Sequence, residues 1–313
     1  MTLEIASLSS ADDHPRRSRR PLRLRGPGLA AAAVALAVLT AAGCAPEESS
    51  DESGATPSAG GSAACTAASL DTTKPGTLTI ATGKPAYEPW YSGDDPTNGK
   101  GFESAVAYAV ADKLGYPKDK VTWVAADFTA SIAPGPKPYD VNLQQVSITE
   151  ERKQAVDFST GYYDVAQAFV TVKTSPAATA KSIADLAKLK LGAATGTTSY
   201  EAIVDVVKPA RQAAVFNDND QAKLALANGQ IDALAVDLPT ALYLAAAELD
   251  GGQVVGQLPT SGTTPEQFGF VLEKGSSLTS CVSRAVDGLR SDGTLDALQK
   301  QWLTDTAGAP VLS

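Results

Sequence analysis

Histidine is almost missing from this chain. Its 313 residues include one histidine, His14, which lies near the amino terminus. If the leading segment is removed, the remaining protein has no imidazole at all. A Ser-His-Asp or Cys-His mechanism is then impossible, and so is a metal site built on histidine. We also expect the site to use neither a metal nor a cofactor.

The apolar run near the amino terminus is too short to span a bilayer. It covers residues 29–42, about 14 residues, whereas a spanning helix needs about 20. A basic stretch, Arg16 to Arg25, precedes the run, and small residues follow it. This order is typical of a secretory signal peptide, which we assign to residues 1–44. The general and the twin-arginine export routes both stay open.

Positive charge is scarce in the rest of the chain. The net charge is −9, but residues 1–44 carry six arginines against three acids, which leaves −12 for the remainder. Binding to a phosphate backbone requires clustered lysine and arginine. We therefore expect no nucleic-acid partner.

The chain has only three cysteines, and the first ends the leading segment. Cys44 follows Leu-Thr-Ala-Ala-Gly, which resembles the lipobox of bacterial lipoproteins. The resemblance implies that Cys44 is lipidated, and stable tethering requires more than one acyl chain. The alternative is an ordinary signal peptide cleaved nearby, with Cys44 incidental.

The other two cysteines are Cys65 and Cys281. With Cys44 acylated, two thiols outside the cell are expected to pair with each other. Two buried free thiols are the alternative. Residues 45–75 are rich in small and polar residues and lack a periodic apolar pattern, which predicts a flexible linker between anchor and fold.

Strand and helix patterns alternate along the rest of the chain. Short β-branched runs such as Leu78–Thr82 and Val121–Ala125 flank the helical spacing of Ser104–Leu114. Such alternation predicts an α/β fold with mostly parallel sheets flanked by helices, and the length favours two lobes. Ligands bind such sheets at the carboxyl ends of their strands. A late strand over Phe268–Glu273 and a final helix over Leu295–Leu303 complete the prediction.

Four motifs carry a family resemblance that extends from about Leu78 to Trp302. They are Tyr87-Glu88-Pro89-Trp90 with the following Gly-Phe-Glu, the segment DVNLQQVSITEERKQAVDFSTGYY from Asp140, Gly196-Thr197-Thr198-Ser199, and GQIDALAVD ending at Asp237. Together they resemble the polar-amino-acid family (family 3) of solute-binding proteins that feed ABC importers. The resemblance implies the type II periplasmic-binding-protein fold, in which a two-strand hinge joins the lobes.

The resemblance also assigns roles to residues that would hold the ligand carboxylate. Arg152 would grip the α-carboxylate of an amino acid, because a guanidinium is a planar fork matched to that group. Ser147 and Thr198 would assist it. The alternatives are that Ser147 forms a capping box with Glu150, that Arg152 pairs with a nearby acid, and that Thr198 is a simple N-cap.

Further positions complete the inferred site. Asp237 would hold the ligand ammonium, or alternatively cap the next helix. Tyr87 and Trp90 would form an apolar wall, or alternatively belong to the core. Gln145 and the preceding Gln144 depart from the small residues that are common in the family, so they would narrow the pocket and add hydrogen-bonding groups.

The family's chain crosses between its lobes twice. We expect the crossings near Val172–Lys173 and Phe268–Val271. Lobe 1 would then comprise residues 76–172 and 270–313, and lobe 2 residues 173–269.

The inferred function is capture of an amino acid, polar or neutral, and its delivery to an ABC permease. The protein would be a monomer outside the cell membrane, touching it only through the lipid anchor. One alternative is a dehydratase-like enzyme on the same fold, for which Asp127 and Glu88 are nominal acid-base candidates. Another is a ligand-sensing receptor subunit.

Overall fold

The computed structural model describes residues 65–260, 265–303 and 309–313. The predicted signal peptide, Cys44 and the first part of the predicted linker lie outside the described residues. The strands are β1 (Leu78–Thr82), β2 (Val121–Ala125), β3 (Val141–Asn142), β4 (Val156–Phe158), β5 (Tyr163–Val165), β6 (Gln167–Val172), β7 (Leu191–Ala194), β8 (Ala214–Phe216), β9 (Ala233–Asp237), β10 (Gly252–Gln257), β11 (Glu266–Phe268) and β12 (Val271–Glu273).

Helices flank these strands. They are α1 (Phe102–Lys113), α2 (Phe128–Ile132), α3 (Arg152–Ala155), α4 (Ile183–Leu186), α5 (Thr198–Ala202), α6 (Asn219–Ala227), α7 (Leu238–Tyr243), α8 (Thr279–Ser291) and α9 (Thr294–Trp302). Two of them, α5 and α7, continue as π-helical turns over Ile203–Val207 and Leu244–Glu248. Short 3-10 turns lie at Ser92–Asp94, Pro96–Asn98, Lys118–Lys120 and Pro176–Thr179.

Two five-stranded sheets form the two lobes. The lobe 1 sheet has the order β2-β1-β3-β12-β4, and the lobe 2 sheet the order β10-β6-β9-β7-β8. Each sheet has two parallel and two antiparallel pairings, so the sheets are mixed rather than mostly parallel. The strands that run antiparallel to both of their neighbours, β12 and β6, are those that follow the hinge strands β11 and β5. They run away from the hinge, whereas β1, β7 and β9 run towards it.

The hinge is a separate two-stranded sheet. Its strands β5 and β11 pair antiparallel, with Tyr163 opposite Phe268 and Val165 opposite Glu266. The first crossing is therefore at β5, and the expectation near Val172–Lys173 is wrong, because β6 pairs with β9 and β10 inside lobe 2. The second crossing, at β11, adjoins the expected position.

The end of the predicted linker is packed against lobe 1 rather than free. Cys65 forms a disulfide with Cys281, as the sequence predicts. Ala67 and Leu70 pack against the lobe 1 core. The Asp140 carboxylate accepts hydrogen bonds from the backbone N–H and the hydroxyl of Thr73, at 2.6 and 2.8 Å. The predicted linker therefore ends before Cys65.

The carboxyl-terminal residues 309–313, which we expected in lobe 1, pack on lobe 2. The Gln257 N–H donates to the Pro310 carbonyl, and the Leu312 N–H donates to the Gln257 carbonyl. Leu312 is buried in the lobe 2 core. This tail therefore pairs with the last residue of the edge strand β10.

Helix α8 was not predicted. Its buried residues are Cys281, Val282, Ala285, Val286 and Leu289, which have the spacing of one helical face. It packs with α1 and α9 against the lobe 1 sheet. Within the described ranges, no helix combines the length and the apolar character needed to cross a membrane.

Candidate ligand-binding cleft

A cleft of about 330 Å³ lies between the lobes. Strands β1, β7 and β9 end at it, as the rule for α/β sheets predicts. Five of the seven predicted ligand residues line it: Tyr87, Gln145, Arg152, Thr198 and Asp237. Trp90 and Ser147 are not among the lining residues.

Arg152 is held rigidly at the start of α3. Its Nη1 donates to the Ser147 carbonyl at 2.8 Å, and its Nη2 donates to the Gly196 carbonyl, on the other lobe, at 2.9 Å. The guanidinium also lies 5.5 Å from the centroid of the Phe128 ring. These two bonds use two of its five N–H donors, so others are available to a ligand.

The charge of Arg152 is not neutralised by a paired acid. None of the ion pairs within 4.0 Å among the described residues involves it. Burial lowers the pKa of Arg152, and the charges of Glu201 and Glu266 act in the opposite direction. Arginine nevertheless stays cationic near neutral pH. The cleft therefore has a fixed cation that can receive an anion.

Asp237 supplies negative charge from lobe 2. It ends β9 and caps α7, because its Oδ1 accepts the Thr240 N–H at 3.1 Å. The alternative role as a cap is thus observed, and the carboxylate lines the cleft as well. Burial raises the pKa of Asp237 to about 6. A nearby cation would stabilise the ionised form of this buried carboxylate.

Thr198 is the first residue of α5, after the turn at Gly196. Thr197 is the N-cap, since its hydroxyl accepts the Tyr200 N–H. The N-cap that we predicted as an alternative role for Thr198 is therefore formed by the preceding residue, Thr197. The Thr198 hydroxyl donates to Glu266 at 2.7 Å.

Ser147 does not line the cleft itself, but it contacts Thr198, which does. It is buried, its hydroxyl bonds to the Glu266 carboxylate, and its Oγ lies 3.2 Å from the Thr198 Oγ1. The predicted capping box with Glu150 does not form. Instead the Thr149 hydroxyl accepts the Arg152 N–H at 3.1 Å. The box fails because α3 begins at Arg152, too late for Ser147 to cap it.

Gln145 is anchored by a buried acid. Its backbone is left-handed (φ 50°), and its N–H donates to Glu103 at 2.8 Å. Its side-chain amide and the Tyr162 hydroxyl also bond to the Glu103 carboxylate. Burial raises the pKa of Glu103 to about 7. Glu103 thus sets the orientation of Gln145, a role that the Gly-Phe-Glu motif did not reveal.

Trp90 belongs to the core, so the predicted wall role is wrong. Its side chain is fully buried and lies edge-on to Phe102, Tyr163 and Phe268. Its Nε1 donates to the Thr240 hydroxyl, on the other lobe, at 2.9 Å. A large ring flanked by three others has no free face for a ligand.

The aromatic residues that do line the cleft are Tyr87, Phe128 and Phe268. Burial raises the pKa of the Tyr87 hydroxyl, and backbone N–H groups of Asn219 and Asp220 act against this. The remainder of the lining is mainly polar: Thr82, Lys84, Asp127, Thr129, Gln144, Gln167, Thr195, Asn217, Asp218 and Asn219 are among its residues.

Comparison with known proteins settles the family. The model of "bacterial extracellular solute-binding proteins, family 3" matches residues 78–305. This chain belongs to that family. Family 3 membership agrees with the resemblance found in the four motifs and with the two-lobed α/β fold.

Individual relatives agree with this assignment. The L-cystine-binding protein TcyJ of Escherichia coli (strain K12) is 32% identical over 220 residues, which cover 69% of this chain and 79% of TcyJ. The structure of an ancestral arginine-binding protein bound to glutamine is 31% identical, with a TM-score of 0.61. The match covers 72% of this chain and 97% of the ancestral protein. The ancestral amino acid-binding protein AncCDT-1, a precursor of cyclohexadienyl dehydratase, is 30% identical, with a TM-score of 0.60, over 73% of this chain and 95% of its own.

Proposed function

We propose that this protein captures a free amino acid between its lobes and delivers it to an ABC permease. The observation that carries the proposal is the pair of opposite charges at one cleft. Arg152 is supplied by lobe 1 and Asp237 by lobe 2, and both line the cavity of about 330 Å³. An α-amino acid carries the matching charges, a carboxylate for the arginine and an ammonium for the aspartate.

The cost of burying charge explains how binding would favour closure. An unpaired buried ion is unfavourable, and a zwitterion would pair both. The closed form would therefore bind the ligand more tightly than the open form, which shifts the population towards closure. With about ten heavy atoms, such a ligand would bind with micromolar to nanomolar affinity.

The side chain of the ligand is inferred to be polar or neutral. Amide and hydroxyl groups of Thr129, Gln144, Asn217 and Asn219 line the cleft, and Tyr87 offers a flat apolar face. The relatives carry different ligands in their names: cystine for TcyJ, and both arginine and glutamine for the ancestral protein.

A dehydratase is the second candidate, and the similarity to AncCDT-1 is what favours it. Such an enzyme requires an acid or base poised near the reacting atoms. Asp127 and Asp237 line the cleft, whereas Glu103, whose pKa is also raised, does not. We favour binding without turnover, because Asp237 is already engaged as a helix cap and suits an ammonium.

Placement outside the membrane follows from the amino terminus. We infer that residues 1–44 direct export and that lipid on Cys44 anchors a monomer. The matched family consists of extracellular proteins, and a disulfide between Cys65 and Cys281 suits an oxidising compartment. The linker would hold the fold near its permease.

Isothermal titration calorimetry of the purified protein against the standard amino acids tests the proposal. We expect micromolar or tighter binding to at least one of them, with the ligand recovered unchanged by chromatography. Absence of binding to all of them would contradict the proposal. Turnover of the bound compound would favour the dehydratase.

A further inference from the structure

Glu266 gathers hydrogen bonds from both lobes. It is the first residue of the hinge strand β11. Its carboxylate accepts the Thr198 hydroxyl at 2.7 Å and the Gln167 side-chain amide at 3.1 and 3.2 Å, both from lobe 2. It also accepts the Ser147 hydroxyl from lobe 1. No motif marks this residue, since its partners are up to 119 residues away.

The chemistry of the groups around Glu266 determines which of them donate and which accept. An ionised carboxylate only accepts, so the hydroxyl hydrogens of Ser147 and Thr198 both point to Glu266. The Ser199 hydroxyl donates to Gln167 Oε1 at 2.6 Å, which turns the Gln167 NH₂ group towards Glu266. All three donors, the two hydroxyls and the Gln167 amide, therefore point their hydrogens at the Glu266 carboxylate.

This arrangement changes the expected recognition of a ligand carboxylate. The hydrogen of the Thr198 hydroxyl is already donated to Glu266, so it is not available to the ligand. Arg152 and the backbone N–H groups at the start of α5 remain as donors. Ser147 would then influence binding through Glu266 rather than by touching the ligand.

The contact also depends on closure of the lobes. Ser147 lies after β3 of lobe 1, whereas Thr198 and Gln167 belong to lobe 2. The Ser147 hydroxyl and the two lobe 2 groups can reach the same carboxylate only when the lobes are close. Separation of the lobes must break the Ser147 or the Thr198 bond. Bonds to a charged group are stronger than neutral ones, so the loss is appreciable.

We propose that Glu266 is a positioning residue that fastens the closed form and orients Thr198 at the cleft. It acts through Ser147, Thr198 and Gln167 and does not itself touch the ligand. This inference rests on the proposed amino-acid binding. It predicts that loss of the Glu266 charge speeds ligand release more than it slows ligand capture.

The test compares Glu266→Gln with Asp164→Asn. Asp164 is an acid of the paired hinge strand β5 that accepts the exposed Gln267 amide at 2.6 Å, so its change removes one charge from the same small sheet. Stopped-flow kinetics are measured with the tightest-binding amino acid found by calorimetry. We expect Glu266→Gln to release it about tenfold faster or more, with capture within about threefold of wild type, and Asp164→Asn to match wild type.

Ser147→Ala provides a second variant in case Glu266→Gln does not fold. We expect it to speed release by a smaller factor, and we expect the double variant to fall short of the product of the two separate effects, because both changes act on the same Ser147–Glu266 bond. Release rates equal to wild type in Ser147→Ala and Glu266→Gln would overturn the inference. So would an additive double variant.

X-ray scattering without ligand separates this inference from the proposed function. If wild type binds no amino acid, the proposed function fails, but the unliganded proteins can still be compared. We expect Glu266→Gln to have a larger radius of gyration than wild type and Asp164→Asn. Equal radii for all three would contradict the role of Glu266 in closure.

Discussion

The two lobes build their halves of the cleft in different ways. Lobe 2 uses one device three times: β7, β8 and β9 each lead into a helix, and Thr197, Asp218 and Asp237 cap those helices. Lobe 1 places Gln145 in an irregular loop and Arg152 at the start of the short helix α3, and buried polar contacts hold both residues. Regular strand-to-helix turns need little support, whereas the loops of lobe 1 depend on particular distant partners.

The largest expected effect is at the anchored cation of lobe 1. Replacing Arg152 with alanine should weaken amino-acid binding by at least about 2–3 kcal/mol, roughly 30- to 150-fold, because the ligand carboxylate would be buried without its counter-charge. Isothermal titration calorimetry of wild type and variant measures the loss of affinity. Lys153→Ala is the matched control, since Lys153 is exposed and pairs with Glu150, and it should bind as wild type. Equal affinity of both variants would remove Arg152 from the site.

The buried acid of lobe 1 should give stability a pH dependence. The pKa of Glu103 is about 7 in the folded state against an ordinary value of 4.5. The folded state therefore binds this proton more tightly, and the free energy of unfolding falls as pH rises from 4.5 through 7, by up to about 3 kcal/mol.

Denaturant titrations of wild type and Glu103→Gln at pH 5 and pH 8 measure this contribution. The variant should lack that part of the pH dependence, whereas the exposed Glu150→Gln should retain it. Identical pH dependence in wild type and Glu103→Gln would show that the Glu103 carboxyl titrates normally.

The corresponding acid of lobe 2 should control ligand binding. Because Asp237 must be ionised to hold an ammonium, affinity should fall as pH drops below about 6, its folded pKa. Asp237→Asn should bind about tenfold or more weakly at pH 7.5 and lose this dependence. Asp232→Asn, in the turn before the same strand, is the control. An unchanged pH profile in Asp237→Asn would argue against the ammonium contact.

The smallest effect is expected at the aromatic wall. Tyr87→Phe keeps the ring that lines the cleft and removes only a hydroxyl near the start of α6. Affinity should change by less than about 1 kcal/mol, roughly fivefold, when measured by calorimetry. A larger loss would mean that the hydroxyl itself recognises the ligand.

The same difference between the lobes explains what the sequence could predict. The α/β class, the helices over Ser104–Leu114 and Leu295–Leu303, and the pairing of Cys65 with Cys281 follow from local patterns and from a count of cysteines. The turns of lobe 2 that carry Thr198 and Asp237 were also located correctly, because a strand, a glycine or aspartate and a helix follow one another in the chain.

What the sequence could not predict depends on distant contacts. Trp90 looks like a wall residue beside Pro89, but three rings from other parts of the chain enclose it. Ser147 has the spacing of a capping box, yet Glu266 binds its hydroxyl. The first hinge crossing was placed one strand too late, because β6 pairs inside lobe 2 with β9 and β10, which lie far away in the sequence. Helix α8 had a clear apolar face and could have been found.

The most direct test of the central claim removes one charge at a time from the ligand. Calorimetry compares the tightest-binding amino acid with its α-hydroxy acid, which lacks the ammonium, and with its α-amide, which lacks the carboxylate. If Arg152 and Asp237 hold the two groups, each analogue should bind at least about 30-fold more weakly than the amino acid. Binding of either analogue as tightly as the amino acid would contradict the proposal that the two lobes together recognise a zwitterion.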